Sequence, residues 1–252
     1  MCIVKNELQN FIEKHEYFST QDVYKYFNNQ NISIKQSTIR FYLSEAIKNN
    51  NLYSIGHGLY ITKVTKNRYT PYINNNIIEI YNAIREEYPL LTYCIWTTSI
   101  LNEFHHHISN VNFLIIEVEK DGVESVFYFL KEKYNILFKN PSVELLDSNI
   151  INTDNAIVII NLISESPLIK INSIKTASLE KILVDIVANV KLFYYLQGSE
   201  LHNIYSNAIS KYNINFNKLF NYAKRRNKEQ LIKTIILQNC SDYIIKKVIN
   251  KK

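Results

Sequence analysis

Glycine and proline are scarce in this chain, four of each in 252 residues, which leaves little material for flexible linkers or disorder. Cysteine is scarcer still. Cys2, Cys94 and Cys240 are odd in number and widely spaced, which argues against a disulfide framework and a zinc site and fits a reducing cytoplasm. No apolar stretch approaches the roughly 18 residues of a membrane span, and no apolar segment develops behind residues 1–7, so neither a membrane partner nor a secretory leader is expected. Nucleophile elbow, P-loop and dinucleotide fingerprint are all missing. So is any repeat of about 20–50 residues.

What is present is enough apolar material, 46% of residues, to bury the cores of two ordinary domains. The net charge of +6 is unevenly spread. Residues 1–70 carry nine Lys/Arg against five Asp/Glu, residues 71–175 seven against thirteen, and residues 176–252 thirteen against five. Two basic ends flank an acidic middle, a distribution suited to polyanion binding, although solvated helix faces also explain such runs.

Leu8, Phe11, Ile12 and His15 recur at helical spacing and predict a first amphipathic helix over 5–17. Ser19 or Thr20 then reads as the cap of a second, with Val23, Tyr26 and Phe27 as its apolar stripe. A third helix follows, with Ser33 or Ser37 as its cap. With Ile39 at the centre of its buried face, a step of about 100° per residue puts Tyr42, Leu43, Ala46 and Ile47 on that face. Residues 52–55 and 58–62 read as two short strands around Gly56-His57-Gly58, where positive φ is expected of the glycines. Three helices and a hairpin in this order predict a winged helix-turn-helix DNA-binding domain over residues 1–70.

Pro71 marks the expected boundary. Beyond it come a helix over 77–88, a strand at Cys94-Ile95-Trp96, a helix over 98–106, a buried-type strand over 111–118, a helix over 122–134, and strands over 142–146 and 156–162. From Thr176 the pattern is helical. The fold class expected is α/β: an N-terminal winged helix, then a mixed α/β domain over 71–252 with a helical C-terminal half.

A recognition helix needs short polar and cationic side chains near the N-terminal half of its exposed face. Lys35, Gln36, Ser37, Arg40 and Ser44 meet that need. Arg40 has the fork that reads guanine, Gln36 the amide that reads adenine, and Phe41 an apolar face for a thymine methyl. Lys48, Lys63, Lys66 and Arg68 read as phosphate neutralisers, and His57 as the wing tip. Residues 33–68 hold six Lys/Arg and only Glu45 as an acid, which favours DNA over a protein-interaction role for the same module.

Other clusters are weaker. His105-His106-His107 point about 100° apart on a helix and cannot share a simple metal site. Glu117-Val118-Glu119-Lys120 lacks an acid two before the lysine, so it reads as a strand-end charge cluster and not as a nuclease element. Glu180 and Asp185, five apart, do not stack on one helix face. Lys224-Arg225-Arg226-Asn227-Lys228 reads either as a nucleic-acid or acidic-partner contact or as a solvated helix end.

The order of Ile55-Gly56-His57-Gly58-Leu59-Tyr60, an α/β middle, Thr176-Ala177-Ser178-Leu179-Glu180-Lys181-Ile182-Leu183-Val184-Asp185 and Asn221-Tyr222-Ala223-Lys224-Arg225 resembles the AbiEi-type antitoxins of abortive-infection (type IV toxin–antitoxin) systems. The resemblance covers most of the chain. It implies a cytoplasmic autorepressor that binds operator repeats in double-stranded DNA through Arg40, its neighbours and the wing. It also implies a C-terminal domain that antagonises a co-encoded nucleotidyltransferase-like toxin without stable contact. On this reading the protein is not an enzyme, and no catalytic residue, cofactor or metal is expected. Two alternatives stay open: a nuclease-like enzyme targeted by the winged helix, which carboxylates clustered at a cleft would favour, and a winged-helix protein-interaction adaptor.

Overall fold

The computed structural model describes residues 2–49, 52–56, 58–62, 67–104, 111–150, 153 and 155–239. The chain is mixed α/β and divides into two compact units. The first runs to Arg68 and takes in Lys211–Lys218; the second covers Tyr69–Ser210 and Leu219–Cys240. The sequence reading places residues 211–218 with the second domain. They return instead to the first, where Asn67 N–H donates to Lys211 O at 2.9 Å and Asn213 N–H to Asn67 O at 3.0 Å.

In the first unit, α1 (Cys2–Lys14), β1 (Tyr17–Ser19), α2 (Thr20–Asn29), α3 (Gln36–Lys48), β2 (Tyr53–Gly56) and β3 (Leu59–Ile61) follow in order. The three strands form an antiparallel sheet in the order β1-β3-β2. Ser19 caps α2, accepting from Asp22 N–H while the Asp22 carboxylate takes the Ser19 N–H, so two orphan donors are satisfied reciprocally. The core is the sum of the apolar stripes: Leu8, Phe11 and Ile12 from α1, Val23 and Phe27 from α2, and Ile39, Tyr42 and Leu43 from α3. Ala46 and Ile47 pack against its edge.

Gly56 and Gly58 have φ of +118° and +67°, as the turn demands. At Gly56 a Cβ would lie 3.1 Å from Asn217 Oδ1 and 3.2 Å from its backbone nitrogen, so a side chain there is strained by the backbone and crowds Asn217. Gly56→Ala is expected to cost about 1–3 kcal/mol of stability in a denaturant melt. Gly198, at φ +72° with nothing within 4 Å of a built Cβ, is the control, and Gly198→Ala should cost the smaller amount.

The second unit is built on the four-stranded sheet β4-β5-β7-β6: β4 (Tyr93–Thr97) antiparallel to β5 (Phe113–Val118), and β7 (Ala156–Asn161) parallel to both β5 and β6 (Leu137–Lys139). α4 (Asn75–Glu87) and α5 (Val123–Lys131) cover one face, where Ile80 and Ile84, Val126 and Leu130 pack on Ile95, Ile116, Val118 and Ile159. Alternation turns Cys94, Trp96, Ile115 and Glu117 to the opposite face. There Glu117 meets Lys181 of α7 (Leu179–Ala188), which follows the β8 (Leu168–Ile171) and β9 (Ile174–Ala177) pair and opens the helical half, α8 (Ser199–Lys211), α9 (Phe216–Arg225) and α10 (Glu229–Asn239).

Several local expectations need correction. Residues 142–146 are not a strand: Ser142 caps the helical turn α6 (Val143–Leu145), accepting from Leu145 N–H, and the chain winds on through Leu146–Ile150. The segment after β4 is a 3₁₀ helix over Thr98–Glu103. Neither Ser33 nor Ser37 caps α3; the cap position is Lys35, with no side-chain hydrogen bond.

Candidate functional site

α3 places the expected reading residues on one side. Lys35, Gln36, Ser37, Arg40, Phe41, Ser44 and Lys48 are all exposed, opposite the buried Ile39, Tyr42 and Leu43. Phe41 is 56% exposed, a large apolar ring facing solvent. Thr38 N–H donates to Lys35 O at 3.1 Å, and with no side-chain cap among the described residues the N–H groups of Gln36 and Ser37 stay available to an acceptor from outside. At the other end, Lys48 and Arg68 line one open groove of about 610 Å³ together with Tyr53, Ser54 and Asn215. Behind α3, the Tyr24 hydroxyl is buried without a partner among the described residues. Burial pushes its pKa up, while the nearby charge of Arg40 pulls it partly back. His57, Lys63 and Lys66, like His105-His106-His107, lie outside the described residues.

The second unit contains an arrangement the sequence reading missed. Glu117, read as a strand-end charge, is 2% exposed on the sheet's helical face, next to the last residue of the inner strand β5. Its Oε1 accepts from Trp96 Nε1 at 2.7 Å and from Lys181 Nζ at 2.5 Å. Lys181, fully buried on α7, also donates to Asp185 Oδ2, one turn further along the helix, at 2.5 Å. Asp185 Oδ1 in turn accepts from Tyr222 OH at 2.8 Å and from Arg226 Nη1 at 3.0 Å. Two acids and two bases therefore close a neutral, hydrogen-bonded chain from the sheet through α7 to the end of α9. Charges this deep are tolerable only when paired in this way.

Burial alone lowers the pKa of Lys181, but Asp185 and Glu117 outweigh it and hold the ammonium well above its ordinary range. Burial pushes the Glu117 carboxyl up, with Lys181 opposing. The phenols of Tyr205 and Tyr222 are pushed up, chiefly by burial. In the unfolded chain Lys181, Tyr205 and Tyr222 lose their protons near pH 10. Above that the unfolded state binds fewer protons than the folded one, so stability should be complete below about pH 10 and fall as pH rises toward the folded-state values. Thermal melts between pH 8 and 11 should show a midpoint dropping steeply at the alkaline end; a flat profile would contradict the buried assignment of Lys181.

Beside this chain of charges lies a cavity of about 290 Å³, walled by Trp96, Glu117, Asp185 and Arg226 and reaching Asn161 and Lys191. Glu117 and Asp185 thus sit together at a cleft. Among the described residues no three His, Cys, Asp or Glu side chains converge as a metal site.

A family profile matches residues 38–242, most of the chain, and that family is described as one of unknown function (DUF6577). The chain belongs to this family. The match begins within α3 and takes in the hairpin and the whole second unit, so Arg40, Phe41, Ser44, Lys48 and the buried charge chain fall within the DUF6577 region, and Lys35, Gln36 and Ser37 precede it. No curated protein matches the chain.

The basic cluster at 224–228 is now divided by role. Arg226 turns inward to Asp185, and Arg225 pairs with Glu165 at 3.1 Å and reaches Ser164. Lys224 remains on the surface. The one signal in the sequence for the buried centre was the i, i+4 pair Lys181 and Asp185, which the Glu180–Asp185 comparison passes over.

Proposed function

We propose that the chain is a sequence-specific DNA-binding transcriptional regulator whose first unit works as a winged helix-turn-helix. The observation that carries this reading is the exposed face of α3, where an Arg, a Gln, two Ser, two Lys and a Phe share one side of a helix anchored by its other side. The major groove admits such a helix, and bidentate Arg and Gln contacts there discriminate bases. Lys48 and Arg68, lining one groove, supply phosphate neutralisation. The uncapped start of α3 adds backbone donors for a phosphate.

The resemblance to AbiEi-type antitoxins extends the proposal to a cytoplasmic autorepressor of a two-gene operon. In that role the second unit antagonises a nucleotidyltransferase-like toxin. DNase footprinting over the chain's own upstream region tests the regulator: protected repeats are expected, and weak uniform protection without a site would contradict it. Growth rescue from the downstream gene's product tests the antitoxin role.

A second reading, a nuclease-like enzyme, is favoured by Glu117 and Asp185 sharing a cavity. Against it, Lys181, Tyr222 and Arg226 engage both Asp185 oxygens, and Trp96 and Lys181 engage Glu117 Oε1, which leaves only Glu117 Oε2 for a metal. Nucleic-acid cleavage in Mg²⁺ or Mn²⁺ that tracks the purified chain and disappears with Asp185→Asn would establish the enzyme.

A further inference from the structure

The cavity of the second unit lies where the connections of the sheet diverge. β5, β6 and β7 run parallel, and the cavity is bounded by their carboxyl ends: Glu117 on β5, Asn140 just past β6, and Asn161 closing β7. From β5 the chain passes to α5 on one face. From its neighbour β7 it passes, through the β8–β9 pair, to α7 on the other. Open α/β sheets bind ligands outside the carboxyl ends of their strands at such a switch point.

The polar groups of the cavity have direction. Glu117 Oε1 is filled by Trp96 and Lys181, whereas no described residue bonds Oε2, which leaves an acceptor on a residue that is 2% exposed and lines the cavity. In the outer part of the same cavity the exposed Lys191 adds a cation outside the neutral chain, beside the guanidinium of Arg226, whose Nη1 is held by Asp185 and Tyr222. An occupant therefore needs an N–H donor at its deep end and an anion at its outer end. The α-ammonium and α-carboxylate of a free amino acid share one carbon, so only those with a side-chain N–H separate a donor from the anion. At about 290 Å³ the cavity is at the small end of the range for small-molecule sites, roughly 300–1,000 Å³, enough for one compact ligand and too small for a strand.

We propose that this cavity binds a nucleoside monophosphate, with a base N–H donated to Glu117 Oε2 and the phosphate held by Arg226 and Lys191. The inference stands apart from DNA binding, because no DNA enters its test. Trp96 is the chain's single tryptophan and lines the cavity, so its emission reports occupancy. The full chain is titrated with 5′-AMP, 5′-GMP, 5′-CMP and 5′-UMP, with inorganic phosphate and a mixture of free amino acids as comparisons. At least one nucleotide should give a saturable change. Lys191→Ala should weaken it by about fivefold, as for a partly screened ion pair. Asn161→Phe, at an exposed position on the cavity wall, should abolish it while leaving the thermal midpoint near wild type. The proposal is overturned if no nucleotide changes the emission at millimolar concentration, if only amino acids do, or if folded Asn161→Phe responds as wild type does.

Discussion

Lys181→Met is expected to lower the stability of the chain by about 3–5 kcal/mol, the largest effect of any single substitution considered for the second unit. The methionine has nearly the right length and is apolar, so the loss comes from charge and not from a cavity. Lys181 is fully buried and holds both Glu117 and Asp185 at 2.5 Å. Without it two carboxylates face each other across an apolar space, with Arg226, Tyr222 and Trp96 as their remaining donors. Removing one member of a buried ionic set leaves an uncompensated charge, whereas removing both partners is far cheaper. Glu117→Gln added to Lys181→Met should therefore restore part of the loss. Chemical denaturation of the single and double variants measures this directly. If Lys181→Met unfolds at the wild-type midpoint, the charge chain is not buried as described.

Arg40→Ala is expected to weaken binding to the chain's own upstream DNA by about 1–3 kcal/mol, roughly fivefold to more than a hundredfold, while affinity for scrambled DNA changes little. Arg40 is exposed on α3, among the other polar residues of the outward face. A bidentate contact to a guanine edge is the interaction lost. Lys48→Ala and Arg68→Ala should behave differently, because charges on the rim of a groove bind phosphates of any sequence. Each should lower affinity for both duplexes and reduce the salt slope by about one.

The two halves of the chain differ in how far they can be read from sequence. α3 was legible because its stripe is local: Ile39, Tyr42 and Leu43 recur at the helical period, and their burial leaves Arg40, Phe41 and Ser44 outside. The hairpin was legible because Gly56 and Gly58 supply positive φ where no other residue does so cheaply. The buried centre was not, because its members are 117, 181, 185, 222 and 226, drawn together only by the sheet and the helical half. In isolation Glu117, next to Glu119 and Lys120, has the composition of a solvated strand end. Residues 142–146 alternate apolar and polar as a strand does, but Ser142 caps a helical turn there, a competition that local patterning alone does not resolve. The return of Lys211–Lys218 to the first unit leaves no periodic trace at all.

The central claim, that α3 reads DNA, is tested most directly by a salt titration of binding to two duplexes, the chain's own upstream region and a scrambled copy. With wild type, the upstream duplex should bind more tightly, and both affinities should fall as salt rises, by close to one logarithmic unit per logarithmic unit of salt for each phosphate neutralised. With Arg40→Ala the difference between duplexes should shrink, and the salt slope should stay near that of wild type. Equal, salt-insensitive affinities for the two duplexes, unchanged by Arg40→Ala, would contradict the account.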